Sequence, residues 1–153
     1  MLSVHVLKYK HVTLCMILAL TSFGFGVCAF AAAVCGDLTA CGMLIALAQC
    51  SVLHHSHGAD ARAYTGGSVV AKADKFLAHV VTLKCAYDAC QMGVIRSMPV
   101  WASIAYVTVV YYAKIQHCTT YVRGRVYPWH VSIHVVSQMG LVYGYVATRC
   151  TSV

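Results

Sequence analysis

The chain alternates between long apolar runs and short polar segments, a pattern that predicts transmembrane helices. About 20 apolar residues, rising 1.5 Å each, cross a hydrocarbon core of about 30 Å. Five runs come close to or exceed that length, at residues 12–34, 38–55, 73–94, 100–115 and 128–147. We therefore expect an all-α fold: a polytopic membrane helical bundle of about five transmembrane helices, forming a single domain over residues 1–153.

Turn and loop residues separate the five runs. Gly36 and Asp37 predict a turn between the first two spans, and the polar, glycine-containing stretch 56–67 predicts a loop. Pro99 directly precedes the predicted start of span four, a place that suits proline because it fits the first turn of a helix, and span five is predicted to begin at Pro128. We interpret the first run as a retained span. A cleaved signal sequence, suggested by the Ala-Phe-Ala-Ala-Ala segment near its end, stays the alternative.

The composition agrees with a lipid environment. The chain is 60% hydrophobic and only 10% charged, whereas a soluble domain carries about 25% charged residues. Its net charge of +7 could indicate nucleic-acid binding, but the basic residues are scattered between apolar runs and form no basic stripe with interleaved aromatics. The expected partners are therefore membrane lipids and no nucleic acid, with a membrane-protein partner or a homo-oligomer left open.

The basic residues also predict an orientation, because cytoplasmic loops hold most of the Lys and Arg in membrane proteins. With a cytoplasmic N terminus, five spans put eight basic residues on that side: Lys8, Lys10, Arg62, Lys72, Lys75, Lys114, Arg123 and Arg125. Only Arg96 and Arg149 fall on the opposite side, so we expect the N terminus in the cytoplasm. Multi-pass membrane localisation follows, without identifying the compartment.

Two charged residues, Lys84 and Asp88, fall inside the third run, near the predicted centre of the bilayer. An unpaired charge there costs at least about 2.5–3.5 kcal/mol. Their spacing of four residues lets them pair on one helix face. We interpret them as a self-neutralised pair facing other helices, and a proton or ion relay is the alternative.

Polar residues that could bind a metal or take part in catalysis gather at the predicted cytoplasmic edge of the bundle. Ser51 and His55 are four residues apart and share a helix face, as do His130 and His134. Asp74 opens the third span. Three imidazoles from two helices are the ligand set of a catalytic zinc with an open fourth position, and we predict His55, His130 and His134 as the metal ligands. Histidines at a membrane interface also simply extend their polar tips toward water, and that is the competing interpretation.

The proposed site residues have distinct chemical roles. Zinc lowers the pKa of a bound water to about 7 and polarises a carbonyl, which permits hydrolysis without a side-chain nucleophile. Asp74 is the candidate for orienting or deprotonating that water, and Ser51 for donating a hydrogen bond to a developing oxyanion. We therefore predict Ser51 and Asp74 as catalytic residues.

The same segments resemble the signature motifs of the CREST superfamily of membrane proteins. The three segments are Ser51-Val-Leu-His54-His55, then Lys72-Ala-Asp74-Lys75-Phe76-Leu77, then Trp129-His130-Val-Ser-Ile-His134. The superfamily includes alkaline ceramidases, progestin and adipoQ receptors, hemolysin III relatives, GPI-lipid remodelling proteins and myomaker-like proteins. The resemblance implies that Ser51, Asp74 and the three histidines surround a zinc ion near the cytoplasmic face. It further implies hydrolysis of a lipid amide or ester, in an endomembrane or the plasma membrane.

The chain departs from that family in length. CREST proteins have seven spans and this chain is expected to have five, so two spans between the Asp74 segment and the His130–His134 pair would be missing. Two other functions stay open. One is a non-catalytic CREST-like receptor or scaffold. The other is a small anchor or accessory subunit of a larger membrane complex, such as a respiratory complex of the mitochondrial inner membrane. The run from Leu53 to His57 loosely resembles the haem b ligand segment of succinate dehydrogenase anchor subunits.

Overall fold

A computed structural model describes residues 16–56, 69–116 and 123–149 of the chain. These ranges contain five helices and no strand, which confirms the predicted all-α bundle. We number the helices α1 to α5: Met16–Val34, Leu38–Ser56, Val69–Gln91, Val94–Val110 and Arg123–Arg149. A π-helical turn, Tyr111–Gln116, continues α4. Most of the predicted loop at 56–67 lies outside the described residues.

Three of these helices, α1, α2 and the segment Val94–Ala113 containing α4, are long and apolar enough to cross a membrane. Their outer faces carry large hydrophobic side chains, and a continuous surface of this kind is unfavourable in water. Val94 is 81% and Ile95 84% exposed, for example. Together these observations indicate an integral membrane protein. Helices α3 and α5 are more polar, since they carry Lys84, Asp88, His130 and His134.

The two prolines lie inside helices, and the prediction that they mark helix starts was wrong. The fourth helix begins at Val94 instead of Val100, directly after Gly93, whose extended backbone (ψ 151°) ends the preceding turn. Pro99 therefore lies within α4, and Pro128 likewise lies within α5, which begins at Arg123. Gly93 determines the α3–α4 junction, because glycine has a wider choice of backbone conformations than other residues. The helix tolerates the missing N–H of Pro99, which lies close to its N-terminal end.

The helices form a closed ring in which α1 packs against α2 and α5, α2 against α3, and α4 against both α3 and α5. The core lies where α1, α2 and α5 meet and uses residues at helical spacing: Phe25, Cys28, Ala29, Ala32, Ala40, Leu44, Leu47, Val81, Leu141 and Tyr145. Many are small, which allows close backbone approach between helices in lipid. A Cβ on Gly140 would come within 2.7 Å of Ser103, so α4 and α5 are equally close.

The predicted turn between α1 and α2 is present. Gly36 adopts a positive φ of 85°, and the backbone N–H groups of Gly36 and Asp37 donate to the carbonyls of Ala33 and Ala32. This pattern is a Schellman motif, in which glycine supplies the left-handed residue. Asp37 then caps α2, accepting a hydrogen bond from the Ala40 N–H at 2.8 Å, as N-terminal Asp residues do.

The predicted pair of Lys84 and Asp88 is present, and it has a third member. The Lys84 ammonium lies 2.6 Å from Asp88 and 2.7 Å from Asp37. Burial raises the pKa of Asp37, but hydrogen bonds from the Ala40 N–H and from Lys84 outweigh it and lower the pKa overall. Because Asp37 lies in the α1–α2 turn, Lys84 is level with the end of α1 and not near the middle of the bundle, as the sequence had suggested. We call Asp37, Lys84 and Asp88 the ion triad.

Candidate metal centre

The three predicted metal ligands meet at the other end of α2 from the ion triad. Their ring centroids are 4.9 Å apart for His55 and His130, 5.4 Å for His55 and His134, and 5.1 Å for His130 and His134. One nitrogen from each ring lies within 4.8 Å of the others. The histidines predicted from the sequence thus form a three-imidazole group that could hold a metal ion. We call it the histidine trio.

Helix periodicity brings the trio together. His130 and His134 are one turn apart on α5, and their side chains point inward from the same face. His55 lies in the last turns of α2 and is fully buried. Tetrahedral zinc with nitrogens at about 2.0–2.1 Å holds those nitrogens about 3.4 Å apart, so the trio approaches a zinc ligand set to within about 1.4 Å.

The hydrogen bonding of the trio also fits a metal. Both ring nitrogens of His55 are buried and have no hydrogen-bond partner among the described residues. Buried polar atoms in native proteins are nearly always partnered, by protein, water or ion. In contrast, Nδ1 of His134 has a partner, the Thr21 hydroxyl at 3.0 Å. A metal-bound histidine commonly uses its second nitrogen in this way.

The predicted catalytic residues lie beside the trio. Ser51 is 1% exposed and its hydroxyl lies 2.9 Å from that of Ser22. Asp74, in the second turn of α3, is hydrogen-bonded to the Ser51 side chain. Three helices therefore contribute to a polar network around Ser51, which lies on the same face of α2 as His55.

A cavity of about 380 Å³ opens next to this network. Asp74, Ser51, His130 and His134 line its polar end, and His54 also contributes. The rest of the wall is mainly apolar and comes from α2, α3, α4 and α5, including Leu47, Val81, Val100, Ile104, Val107 and Leu141. The cavity therefore joins a group of polar ligands to a space suited to hydrocarbon.

The sequence analysis did not identify Thr21, Ser22 or Gln138. Thr21 and Ser22 lie in the first apolar run, where hydroxyl residues are unremarkable because they bond to their own helix backbone. Gln138, one turn after His134, donates to the Thr21 carbonyl at 2.7 Å. The only available signal was that Thr21 and Ser22 are adjacent polar residues in an otherwise apolar run.

The chain was compared with known proteins: no family model matches it, and neither does any curated protein or solved structure. The CREST resemblance consequently depends on the motif residues alone.

Proposed function

We propose that this protein is a zinc-dependent, integral membrane hydrolase that cleaves an amide or ester bond in a lipid. The observation that carries the proposal is the histidine trio, two of whose members, His130 and His134, line a mainly apolar cavity. Both nitrogens of the third member, His55, are buried and have no hydrogen-bond partner in the described chain. Each such buried polar atom costs about 1–3 kcal/mol. A ligand that accepts a nitrogen lone pair removes part of that cost, and a metal ion does so for three rings at once.

The residues around the trio suit hydrolysis. A zinc ion bound by three histidines supplies a water whose pKa is near 7 and polarises a carbonyl oxygen. In this proposal, the Asp74 carboxylate would take up the proton that the attacking water loses and pass it to the leaving amine or alcohol as the carbonyl–heteroatom bond breaks. The Ser51 hydroxyl would turn its single proton from its partner in the free protein to the oxyanion that develops on the substrate. The hydrogen bond between Ser51 and Asp74 supports their acting together.

The cavity supports a lipid substrate. Its volume of about 380 Å³ is in the range of small-molecule sites, about 300–1,000 Å³. Apolar side chains from α3 and α4, such as Val81 and Val107, form much of its wall. A hydrocarbon chain would pack against these side chains while the scissile carbonyl faces the trio. The same segments carry the CREST resemblance, which independently implies a lipid amide or ester.

We propose a five-span topology with a cytoplasmic N terminus, which puts the trio near the cytoplasmic face. Helices α3 and α5 complete the ring around the cavity, and their polar residues His130, His134 and Asp74 point to its interior. Polar residues in membrane helices typically face a bundle interior in this way. This topology agrees with the distribution of basic residues, and the family resemblance favours an endomembrane or the plasma membrane.

The haem-bearing accessory subunit is the weaker alternative. Bis-histidine haem ligation requires a flat macrocycle between two imidazoles that approach the iron from opposite faces. The rings of His55 and His130 have centroids only 4.9 Å apart, which leaves no space for a macrocycle between them. The arrangement of three rings around one point favours a small ion.

Metal analysis of the purified protein tests the proposal directly. We expect about one zinc per chain after purification in detergent without chelator, and loss of the metal in His134→Ala. His79→Ala is a matched control, because His79 also lines the cavity but is not a member of the trio. A correctly folded protein that contains no metal, and takes up none when zinc is added, would contradict the proposal.

An activity screen then separates hydrolase from receptor or scaffold. Zinc-loaded protein incubated with long-chain amides and esters should release free fatty acid, and Asp74→Asn should reduce the rate by about 10²–10⁴-fold while zinc stays bound. Zinc binding without any hydrolysis across the screen would overturn the catalytic part of the proposal and leave a metal-bound receptor or scaffold.

A further inference from the structure

Helix α1 has a locally tightened hydrogen-bond pattern close to the histidine trio. The Phe23 N–H donates to the Leu20 carbonyl, three residues earlier, at 3.2 Å, and the Gly26 N–H donates to the Phe23 carbonyl at 2.9 Å. Just before Phe23, the Thr21 and Ser22 hydroxyls both donate to the Leu18 carbonyl, at 2.9 and 2.8 Å. Hydroxyl side chains that bond back to their own helix in this way often bend it.

The proton of Thr21 determines the direction of its second hydrogen bond. A hydroxyl has one proton to donate, and Thr21 uses it on the Leu18 carbonyl. Toward Nδ1 of His134, 3.0 Å away, the same oxygen must therefore accept. His134 consequently carries its proton on Nδ1, and its Nε2 has the free lone pair that a metal ligand needs.

Helix α5 holds Thr21 at a second atom as well. Gln138, one turn after His134, donates its side-chain amide to the Thr21 carbonyl at 2.7 Å. A Cβ on Gly24 would collide with that amide, so glycine at this position leaves room for it. Two residues on one face of α5 thus fix Thr21, one at the backbone and one at the hydroxyl.

From this geometry we infer that Thr21, on α1, is a positioning residue that fixes the tautomer and orientation of the metal ligand His134. The inference rests on the proposed metal site and adds to it a residue outside the three motif segments. Hydrogen-bond partners of metal-bound histidines orient the ring and raise its basicity, and their loss typically weakens metal affinity by about 10–100-fold.

The test measures zinc affinity by competition with a chromophoric chelator in detergent micelles. Thr21→Val keeps the shape and removes the acceptor, so we expect affinity to fall by about 10–100-fold. Thr21→Ser keeps a hydroxyl and should bind zinc within about 3-fold of the original protein, a smaller change than losing the partner causes. Thr82→Val is the matched control: its hydroxyl also donates to a backbone carbonyl of its own helix, that of Ala78, and its removal should leave affinity unchanged.

The possible failures are distinguishable. If the unmodified protein binds no zinc, the proposed function fails. If it binds zinc and Thr21→Val binds equally well, or Thr21→Ser loses as much affinity as Thr21→Val, the positioning role is overturned. An independent measurement covers the case in which Thr21→Val does not fold. ¹⁵N NMR of the metal-free, unsubstituted protein should show His134 protonated on Nδ1, and protonation on Nε2 instead would overturn the inference.

Discussion

The two ends of α2 hold the two main polar clusters of the described chain, and they differ in how their polar atoms are partnered. At one end, the Lys84 ammonium of the ion triad contacts Asp37 and Asp88 at 2.7 and 2.6 Å. At the other, His55 presents two buried nitrogens that have no hydrogen-bond partner among the described residues. A cluster whose charged groups pair with one another needs no ligand to explain it, because folding alone provides the partners. A cluster that leaves buried atoms unpartnered is better explained by a ligand.

The difference predicts that zinc stabilises the protein through the histidine trio and not through the ion triad. Zinc at about 1,000 times its dissociation constant should raise the free energy of unfolding by about 4 kcal/mol, because it binds only the folded protein. Unfolding in mixed micelles, followed by circular dichroism with zinc or with chelator, measures this increment. It should disappear in His55→Leu. An increment of equal size in that variant would show that zinc binds elsewhere.

Lys84→Met should have the next largest effect, at the opposite end. It leaves Asp37 and Asp88 facing each other without a cation. Breaking a fully buried pair costs about 3–5 kcal/mol, and we expect about 2 kcal/mol here, since the side chains of the triad stay 25–29% exposed. The zinc increment should be unchanged, because the trio is untouched. Denaturant unfolding with and without zinc measures both quantities.

Two controls sharpen this prediction. Lys72→Met removes an exposed lysine from the same helix and should change stability by less than about 0.5 kcal/mol. Adding Asp37→Asn and Asp88→Asn to Lys84→Met removes the unpaired charges and should recover most of the loss. If the zinc increment fell together with stability in Lys84→Met, the two ends would not be independent.

The sequence predicts a contact at either end of α2 most readily when both partners lie on one helix. The pairs His130–His134 and Lys84–Asp88 follow from a spacing of four, and both are present. That His55 joins the first pair followed from topology, because the ends of α2 and α5 were expected at the same depth. Asp37 and Thr21 could not be found in this way, since their contacts cross 47 and 113 positions of the chain.

Helix boundaries failed for a related reason. Pro99 and Pro128 were assigned to helix starts because local propensity favours proline there. In the fold, both helices extend past the prolines toward their N-terminal ends, to Val94 and Arg123. A proline removes only one backbone N–H donor, so its position alone does not identify the first residue of a helix.

A smaller effect is expected from His55→Leu in chelator, without any metal. Leucine has a similar volume and removes two buried, unpartnered nitrogens, so the free energy of unfolding should rise by about 1 kcal/mol. His134→Leu is the matched comparison, because its Nδ1 is hydrogen-bonded to Thr21; it should lose stability instead. A loss of more than about 2 kcal/mol in His55→Leu would mean that His55 is as well partnered as the ion triad.

Asp37→Asn should have the smallest effect. Asparagine still caps α2 at Ala40 but cannot pair with Lys84, so we expect a loss of about 0.5–1 kcal/mol at neutral pH. Because folding lowers the pKa of Asp37, its charge stabilises the fold above the ordinary carboxyl range, about pH 4. That contribution is lost as the pH falls through the lowered pKa. The variant should therefore differ from the original protein at pH 7 and converge with it in acid.

Stability measurements at low pH thus separate the two roles of Asp37, the helix cap and the ion pair with Lys84. Asp37→Ala removes the cap as well as the charge, and the cap adds about 1 kcal/mol. Its difference from Asp37→Asn should persist at every pH, because the asparagine cap does not titrate. Thermal unfolding between pH 3 and pH 7 with zinc chelated measures both differences. If Asp37→Asn stayed less stable than the original protein even in strong acid, the contact between Asp37 and Lys84 would not be electrostatic, and the ion triad could no longer be considered self-sufficient.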